Sequence, residues 1–314
     1  VHYCNLAYCN CPGSPDPHIQ LLGAGLFPAS TACPSTVFTL KVLDDFLRDN
    51  VECGTAAMNY FSKLKRITSN VFPHLVPVRS SVGYVARIWR VLKLFKWNGF
   101  GHDPRAVGLG ELVLFCLACP QKGVNLDLEI DKDIWKYSWT IIMDGNFKAK
   151  HMHDKKLDDQ VFLMDGMGYM VGRKKYHDYL KAAKEAPKRL ACNNHREVNQ
   201  ANTHRHKLEA TGIGGCACAR HGCFIPHPLG DFQKGERYKI PKPVNMDYAL
   251  SHALRHNMAG IQRVLTFYDI NCQYMKNFQQ RISSNSYLSM PAGISPMPSI
   301  SLWHVHSHRN ECFS

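Results

Sequence analysis

No stretch of this 314-residue chain comes near 18 consecutive apolar residues, which excludes a membrane-spanning helix of ordinary length. No Lys/Arg cluster leads into an apolar run near Val1, so no secretory signal is predicted. No internal repeat is evident. Carboxylates are scarce: 25 Asp and Glu stand against 38 Lys and Arg, leaving a formal charge of +13 and a pI near 9.2. That deficit favours a polyanionic partner, held through phosphate contacts and counterion release, and 17 histidines add charge under mildly acidic conditions. Cysteine, by contrast, is plentiful. Thirteen of them, an odd number, in a chain without a visible export signal read as reduced thiols and metal ligands rather than a disulfide framework. At 45% hydrophobic residues the chain can bury a large core, as one large or two medium domains. It starts on a valine and stops at Glu311-Cys312-Phe313-Ser314, and is expected to be a piece of a longer product.

Residues 1–35 read as loop, with Cys4, Cys9 and Cys11 beside the breaker run Pro12-Gly13-Ser14-Pro15. From about 37 to 68, Val37, Leu40, Leu43, Phe46 and Leu47, then Ala57, Tyr60, Phe61 and Leu64, recur at helical spacing, predicting two amphipathic helices. A third is predicted over 82–97, where Arg87, Arg90, Lys93 and Lys96 alternate with Val85, Ile88, Trp89 and Leu94. This basic, aromatic helix is the candidate for touching DNA phosphates; the alternative is an ordinary helix with a solvated cationic face. Strands are predicted over 138–149, 160–164 and 167–172, with Asp165-Gly166 as the last turn, forming a three-strand meander. Helices are expected over 174–186, 195–209 and 245–258, a strand over 262–268, and a helix over Asn271–Ile282.

Two of these strands are apolar, β-branched or aromatic runs that end on an aspartate: Trp-Thr-Ile-Ile-Met into Asp144, and Val-Leu-Thr-Phe-Tyr into Asp269. A metal-dependent phosphoryl-transfer site needs carboxylates at strand ends. On adjoining strands the two charges would repel by roughly 4 kcal/mol at 4 Å and an effective dielectric near 20, a penalty that a divalent cation removes. The competing reading makes each aspartate a turn starter.

Cys192-Asn-Asn-His195 and Cys218-Ala-Arg-His221 share a Cys-x-x-His spacing. Together they supply the two thiolates and two imidazoles of a closed tetrahedral zinc site, and Cys216 and Cys223 flank the second half. Cys116-x-x-Cys119 is a further thiol pair that can hold zinc, with Cys4, Cys9 and Cys11 as possible partners, or can act as a redox pair. His304, His306, His308 and Cys312 form another cluster on alternate positions. Glu236 is a candidate acid, with a salt-bridged loop residue as its plainer reading.

Five ordered stretches converge on a known family: Met-Asp144-Gly-Asn-Phe-Lys148, the Ala-Thr-Gly-Ile-Gly-Gly-Cys-Ala-Cys-Ala-Arg-His221-Gly run, Asp231-Phe-Gln-Lys-Gly-Glu-Arg237, Asn245-Met-Asp-Tyr248, and Tyr268-Asp-Ile-Asn-Cys-Gln273. They resemble the KDZ (Kyakuja-Dileera-Zisupton) transposases of fungal genomes. Cys9-Asn-Cys11, Ile19-Gln-Leu-Leu22 and Leu26-Phe-Pro-Ala29 resemble the end of the CxC-type cysteine cluster fused to them. The resemblance implies a mixed α/β fold with a ribonuclease H-like core, made of the meander plus a later strand, a helical N-terminal region and a zinc-binding-type helical insertion. The implied organisation is a cysteine cluster end over 1–35, a basic helical region that can contact DNA over 36–130, and an incomplete core over 131–314 with the insertion at about 188–240.

The same resemblance implies a DDE-type enzyme that cleaves and transfers DNA strands with two Mg²⁺ ions, Asp144 and Asp269 being its first two acids. Two such ions activate the attacking hydroxyl and stabilise the leaving oxygen. Its partners would be transposon ends and target DNA, its location nuclear, and a homodimer its candidate assembly. Two departures stand out. Only Glu311 follows Asp269, in a His-Arg-Asn-Glu-Cys segment that matches an earlier family motif, so the third acid is expected to be missing and the chain inactive. And Lys-Ile-Pro-Lys-Pro-Val intervenes between Tyr238 and Asn245, where the family runs more directly. The rival functions are a non-catalytic zinc-dependent DNA- or protein-binding module and, more remotely, a redox protein using Cys116 and Cys119.

Overall fold

The structure is a computed structural model that describes residues 1–76, 82–103, 105–127, 137–146, 148–153, 163–183, 208–233, 244–258, 260–261, 263–269, 271–291 and 295–298. The chain divides into two compact units, Val1–Asp103 and Pro104–Ser314.

In the first unit, α1 (Pro17–Gly23) starts on a proline at its first turn, where the missing N–H costs nothing. A short antiparallel pair follows, β1 (Leu26–Pro28) with β2 (Val37–Thr39). Thr39 then caps α2 (Leu40–Glu52), its hydroxyl accepting from the Val42 amide at 3.3 Å. With α3 (Ala57–Thr68) and α4 (Val82–Trp97), these elements close on Phe27, Phe38, Leu43, Phe46, Tyr60, Phe61, Val82 and Val85. The three helices fall where the apolar spacing predicts them. The loop expected over 1–35 is corrected: α1 and β1 lie within it, because Pro17 opens a turn and Leu21 and Phe27 are apolar enough to be buried.

The second unit is built on one mixed sheet. β3 (Trp139–Asn146) is flanked by β5 (Leu208–Cys218), antiparallel, and by β7 (Arg263–Phe267), parallel. β8 (Ser295–Pro298) extends the sheet parallel to β7. β6 (Gly230–Gln233) and the two-residue β4 (His151–Met152) both pair with β5. Because Ile213 pairs with both Asn146 and Asp231, and Ala210 with both His151 and Gln233, β3 and β4 line one edge of β5 and β6 lines the other. The resulting order across the sheet is β6, β5, β3 with β4, β7, β8.

The meander is corrected in its position. Residues 163–169 are turns, Met170 makes a single bridge to Leu229, and 160–162 lie outside the described residues. The strands antiparallel to β3 and β5 come instead from 208–218 and 230–233, in the stretch expected as a helical insertion. Its glycines explain both the misreading and the strand. A Cβ on Gly214 would lie 2.0 Å from the Phe232 ring, and one on Gly215 would lie 2.5 Å from a Leu229 methyl. Glycine in a strand marks such close approaches. The helix expected over 195–209 lies outside the described residues except for Leu208 and Glu209, which are strand.

α5 (Arg173–Ala182) and α6 (Val244–Ala253) hold the buried face of the sheet. Every residue of α6 from Met246 to Ala253 is buried, the mark of a helix enclosed on all sides. Tyr176 and Tyr179 of α5 pack their rings 5.0 and 4.9 Å from Tyr248. Beyond β7 the expected single helix is three pieces: α7 (Asn271–Tyr274), a 3₁₀ turn Met275–Asn277, and α8 (Phe278–Ser283).

Two buried polar features pin this core. Arg281 of α8 grips Asp247 of α6 with two bonds, Nε to Oδ2 at 2.7 Å and Nη2 to Oδ1 at 3.0 Å, and donates to the Tyr274 carbonyl at 2.9 Å. His252 packs against Tyr248 and His227, with ring centroids 4.3 and 4.9 Å away.

Breaking a buried pair strands a charge, so Arg281→Met is expected to lower unfolding stability by about 3–5 kcal/mol. Asp247→Asn added to it should recover part of that loss, as urea denaturation would measure; equal stability of Arg281→Met and the parent would refute the pair's role. Burial first, then the positive neighbours His227, Arg255 and Lys175, push the His252 imidazole down to about 3. A depressed folded value means stability is full above the unfolded value of about 6.5 and is lost as pH falls below it. Between pH 7 and 5 this one group should remove about 2 kcal/mol, and His252→Gln should flatten the melting temperature over that interval.

Candidate functional site

β3 alternates as a half-buried strand must: Trp139, Ile141 and Met143 face the core, while Ile142 and Asp144 are exposed. The parallel ladder sets Trp139 beside Val264 and Ile142 beside Phe267. Asp144 and Asp269 each stand two residues past that last registered pair, at the same end of adjoining strands, and both are exposed. Asp144 Oδ1 accepts from the Gly145 amide at 2.7 Å. The turn that carries Asp269 is fastened by Asn271, whose Nδ2 donates to the Thr266 carbonyl at 2.7 Å and whose amide donates to the Tyr268 carbonyl at 3.0 Å. Two carboxylates at the carboxyl ends of neighbouring parallel strands are oxygen donors of the kind that suits Mg²⁺.

A second group gathers at the opposite end of β3. Cys116 Sγ lies 3.2 Å from His221 Nδ1, Cys119 Sγ 3.2 Å from Cys218 Sγ, and Cys218 Sγ 3.4 Å from His221 Nδ1. All four ligand atoms fall within 4.8 Å of one another, the three cysteines buried and the histidine exposed. This Cys₃His set can hold zinc. Burial pushes the Cys116 thiol up, but the Ala118 amide, the Cys119 thiol and amide, and the Cys218 thiol outweigh it and hold Cys116 below the ordinary value. Burial, then hydrogen bonding with Cys218 and Cys116, pushes Cys119 well up. Cys216 is wholly buried and raised by burial alone, while Cys223 is exposed, 3.8 Å from the His221 carbonyl.

Of the spaced pairs read from the sequence, two are brought together. Cys218 and His221 meet Cys116 and Cys119, whereas Cys192 and His195 lie outside the described residues, as do Glu236, Glu311 and the His304, His306, His308 and Cys312 cluster. Cys4, Cys9 and Cys11 are exposed and belong to the other unit. Sequence reading missed the outer supports of the cysteine turn. Gln121 Nε2 donates to the Cys116 carbonyl at 3.0 Å and Asn125 Nδ2 to the Cys119 carbonyl at 2.9 Å. The tight Pro120-Gln121 and Asn125 chemistry just after the thiol pair was the available sign. Another unforeseen contact is His151 Nδ1 at 2.7 Å from Asp231 Oδ2, between β4 and β6.

The four basic residues of α4 divide. Lys93 is ion-paired with Asp44 at 2.8 Å and lies over the Trp89 ring at 5.1 Å, and Arg90 donates to Asn50. Arg87 and Lys96 are exposed. Among the described residues no helix is long and apolar enough to cross a membrane.

Comparison with known proteins agrees with the motifs. No curated protein and no solved structure matches the chain. Residues 1–72 match the CxC2 like cysteine cluster associated with KDZ transposases, a span that runs past the 1–35 read from the cysteines and takes in α2 and α3. Residues 137–314, more than half of the chain and including both aspartates and the Cys218/His221 half-site, match the Kyakuja-Dileera-Zisupton transposases, and it is to that family that the chain belongs.

Proposed function

We propose that the second unit is the core of a DDE-type DNA transposase with a ribonuclease H-like fold, in which Asp144 and Asp269 are the first two acids. The observation that carries the reading is the parallel register of β3 with β7, whose last pair, Ile142 with Phe267, stands two residues before each aspartate at one edge of the sheet. The strand order supports it too: a first strand leading an antiparallel β3–β5–β6 meander on one side, with two parallel strands on the other, is the arrangement such cores use. In this reading the cysteine cluster reaches residue 72, α4 contacts DNA, and the core lies within the second unit, over about 131–314.

Asp144 and Asp269 would hold the two Mg²⁺ ions, which when bound supply activation of an attacking hydroxyl and stabilisation of the leaving oxygen. The chain's own contribution is positional. Adjoining strands fix the spacing of the carboxylates, Asn271 fixes the turn behind Asp269, and the exposure of both leaves room for a DNA backbone. The third acid is left unassigned in this proposal; Glu311, the one Asp or Glu after Asp269, lies outside the described residues. The partners are transposon ends and target DNA, a homodimer is the candidate assembly, and the location is the nucleus. Positive charge supports a nucleic-acid partner.

The test is Mg²⁺-dependent nicking of DNA by the chain and by a version lengthened past Ser314 into the next acidic segment. Nicking by the longer protein, reduced at least about 100-fold by Asp144→Asn or Asp269→Asn, is the expected result. Nicking that persists in both variants would defeat the assignment, and DNA binding without any nicking would favour a non-catalytic zinc-dependent module instead. On α4, Arg87→Glu with Lys96→Glu should weaken DNA binding and reduce the salt slope by about 2. An unaltered slope would remove this helix from the interface.

A further inference from the structure

We propose that Cys116, Cys119, Cys218 and His221 bind a single zinc ion that fastens the 116–119 turn to the start of β3, independently of the carboxylate chemistry. The four donors come from half-sites 99 and 105 residues apart, yet their ligand atoms share a space within 4.8 Å. Tetrahedral zinc, with bonds of about 2.3 Å to sulfur and about 2.0 Å to nitrogen, sets donors about 3.5–3.8 Å apart. The three shortest contacts, 3.2, 3.2 and 3.4 Å, need to open by about half an ångström or less, and the widest pair, within 4.8 Å, to close by no more than about 1 Å to reach that geometry. Thiolate with imidazole selects zinc over Mg²⁺ or Ca²⁺, and four protein ligands close the site, so its role is structural.

Each half is shaped in advance. The Cys119 amide donates to the Cys116 carbonyl at 3.2 Å, and the Gly222 amide to the Cys218 carbonyl at 2.9 Å. Gly222 sits at φ +68°, which only glycine adopts freely. Behind the first half, Asn257 Nδ2 donates to Gln121 Oε1 at 3.1 Å, and Gln121 in turn holds the Cys116 carbonyl. Such outer partners orient ligands. His221 presents Nδ1 to the sulfurs, so its proton belongs on Nε2.

Both halves grip the same few residues. Cys218 pairs with Ile141, the Trp139 indole donates to the Pro120 carbonyl at 3.0 Å, and Phe115 stacks on Trp139 at 4.7 Å. From Ile141 to Asp144 is about 10 Å along the strand. The ion therefore acts as a positioning element for β3 and lies outside the reach of the carboxylates.

The test is zinc content of the whole chain by plasma mass spectrometry, with thiol alkylation before and after chelation. Cys116→Ser with Cys218→Ser should lose one zinc per chain, Cys192→Ser with His195→Ala should retain that ion, and Cys116, Cys119 and Cys218 of the parent should alkylate only after chelation. Unchanged zinc in the first variant, loss of the same ion in the second, or recovery of a Cys119–Cys218 disulfide would each overturn the proposal. Should the buried substitutions prevent folding, the exposed His221→Ala, combined with Cys223→Ala to remove a substitute thiol, gives a second readout. Its cobalt-loaded absorption must differ from the parent's; an identical spectrum would exclude His221 as a ligand.

Discussion

The parallel pairing of β3 with β7 is the constraint on which the second unit turns. Antiparallel neighbours put their carboxyl ends at opposite edges, but parallel neighbours put them together, and only a long crossover can join such a pair. Here the crossover includes β5, β6 and α6, and α6 returns through the interior with every residue from Met246 to Ala253 buried. The carboxyl edge of parallel strands is where open α/β sheets place their ligands. Because β3 alternates, Ile142 and Asp144 share its exposed face, and the register carries that face across to Phe267 and the turn bearing Asp269.

Around that edge the interior is fixed by polar contacts as much as by apolar ones. Asp247 belongs to the Asn245-Met-Asp-Tyr248 stretch, and its buried carboxylate meets a guanidinium from α8 in a two-bond grip. Such a pair adds little net stability over apolar packing but penalises any arrangement that separates its members. It therefore ties α6, packed on β5, to the helix that follows β7. Arg281 also lies over the Tyr274 ring at 5.0 Å, and the Tyr274 and Tyr268 rings meet at 5.5 Å. A continuous chain of contacts thus runs from α6 to the residue preceding Asp269.

What local sequence could reveal follows from what local spacing encodes. The three helices α2 to α4 and the strands β3 and β7 were legible because a single buried face imposes its period on Leu43 and Phe46, on Tyr60 and Phe61, or on Trp139, Ile141 and Met143. β5 was not, because Gly212, Gly214 and Gly215 read as a breaker run until Phe232 is seen lying against Gly214 and Leu229 against Gly215. Family motifs located both aspartates, and the ladder that brings their strands to one edge joins segments whose separation no local pattern records. The Cys-x-x-Cys and Cys-x-x-His spacings marked two pairs that the structure gathers, since a two-residue gap is a property of one turn. Which halves meet depends on the 105 residues that separate Cys116 from His221.

The two ends of β3 then carry different burdens for a physical reason. Asp144 and Asp269 are both exposed at that edge, and like charges gathered at one edge repel. That repulsion works against the pairing of β3 with β7 at this edge, before any cation arrives. Countering the push takes anchorage elsewhere along the strand, and the residues that supply it sit at the other end: Trp139 bonded to Pro120 and stacked on Phe115, and Ile141 paired with Cys218. A zinc clip there, as proposed, would make the anchorage insensitive to whether the carboxylate edge is loaded. The division suits a proposed site that must bind and release both its cations and a polyanion without the sheet coming apart.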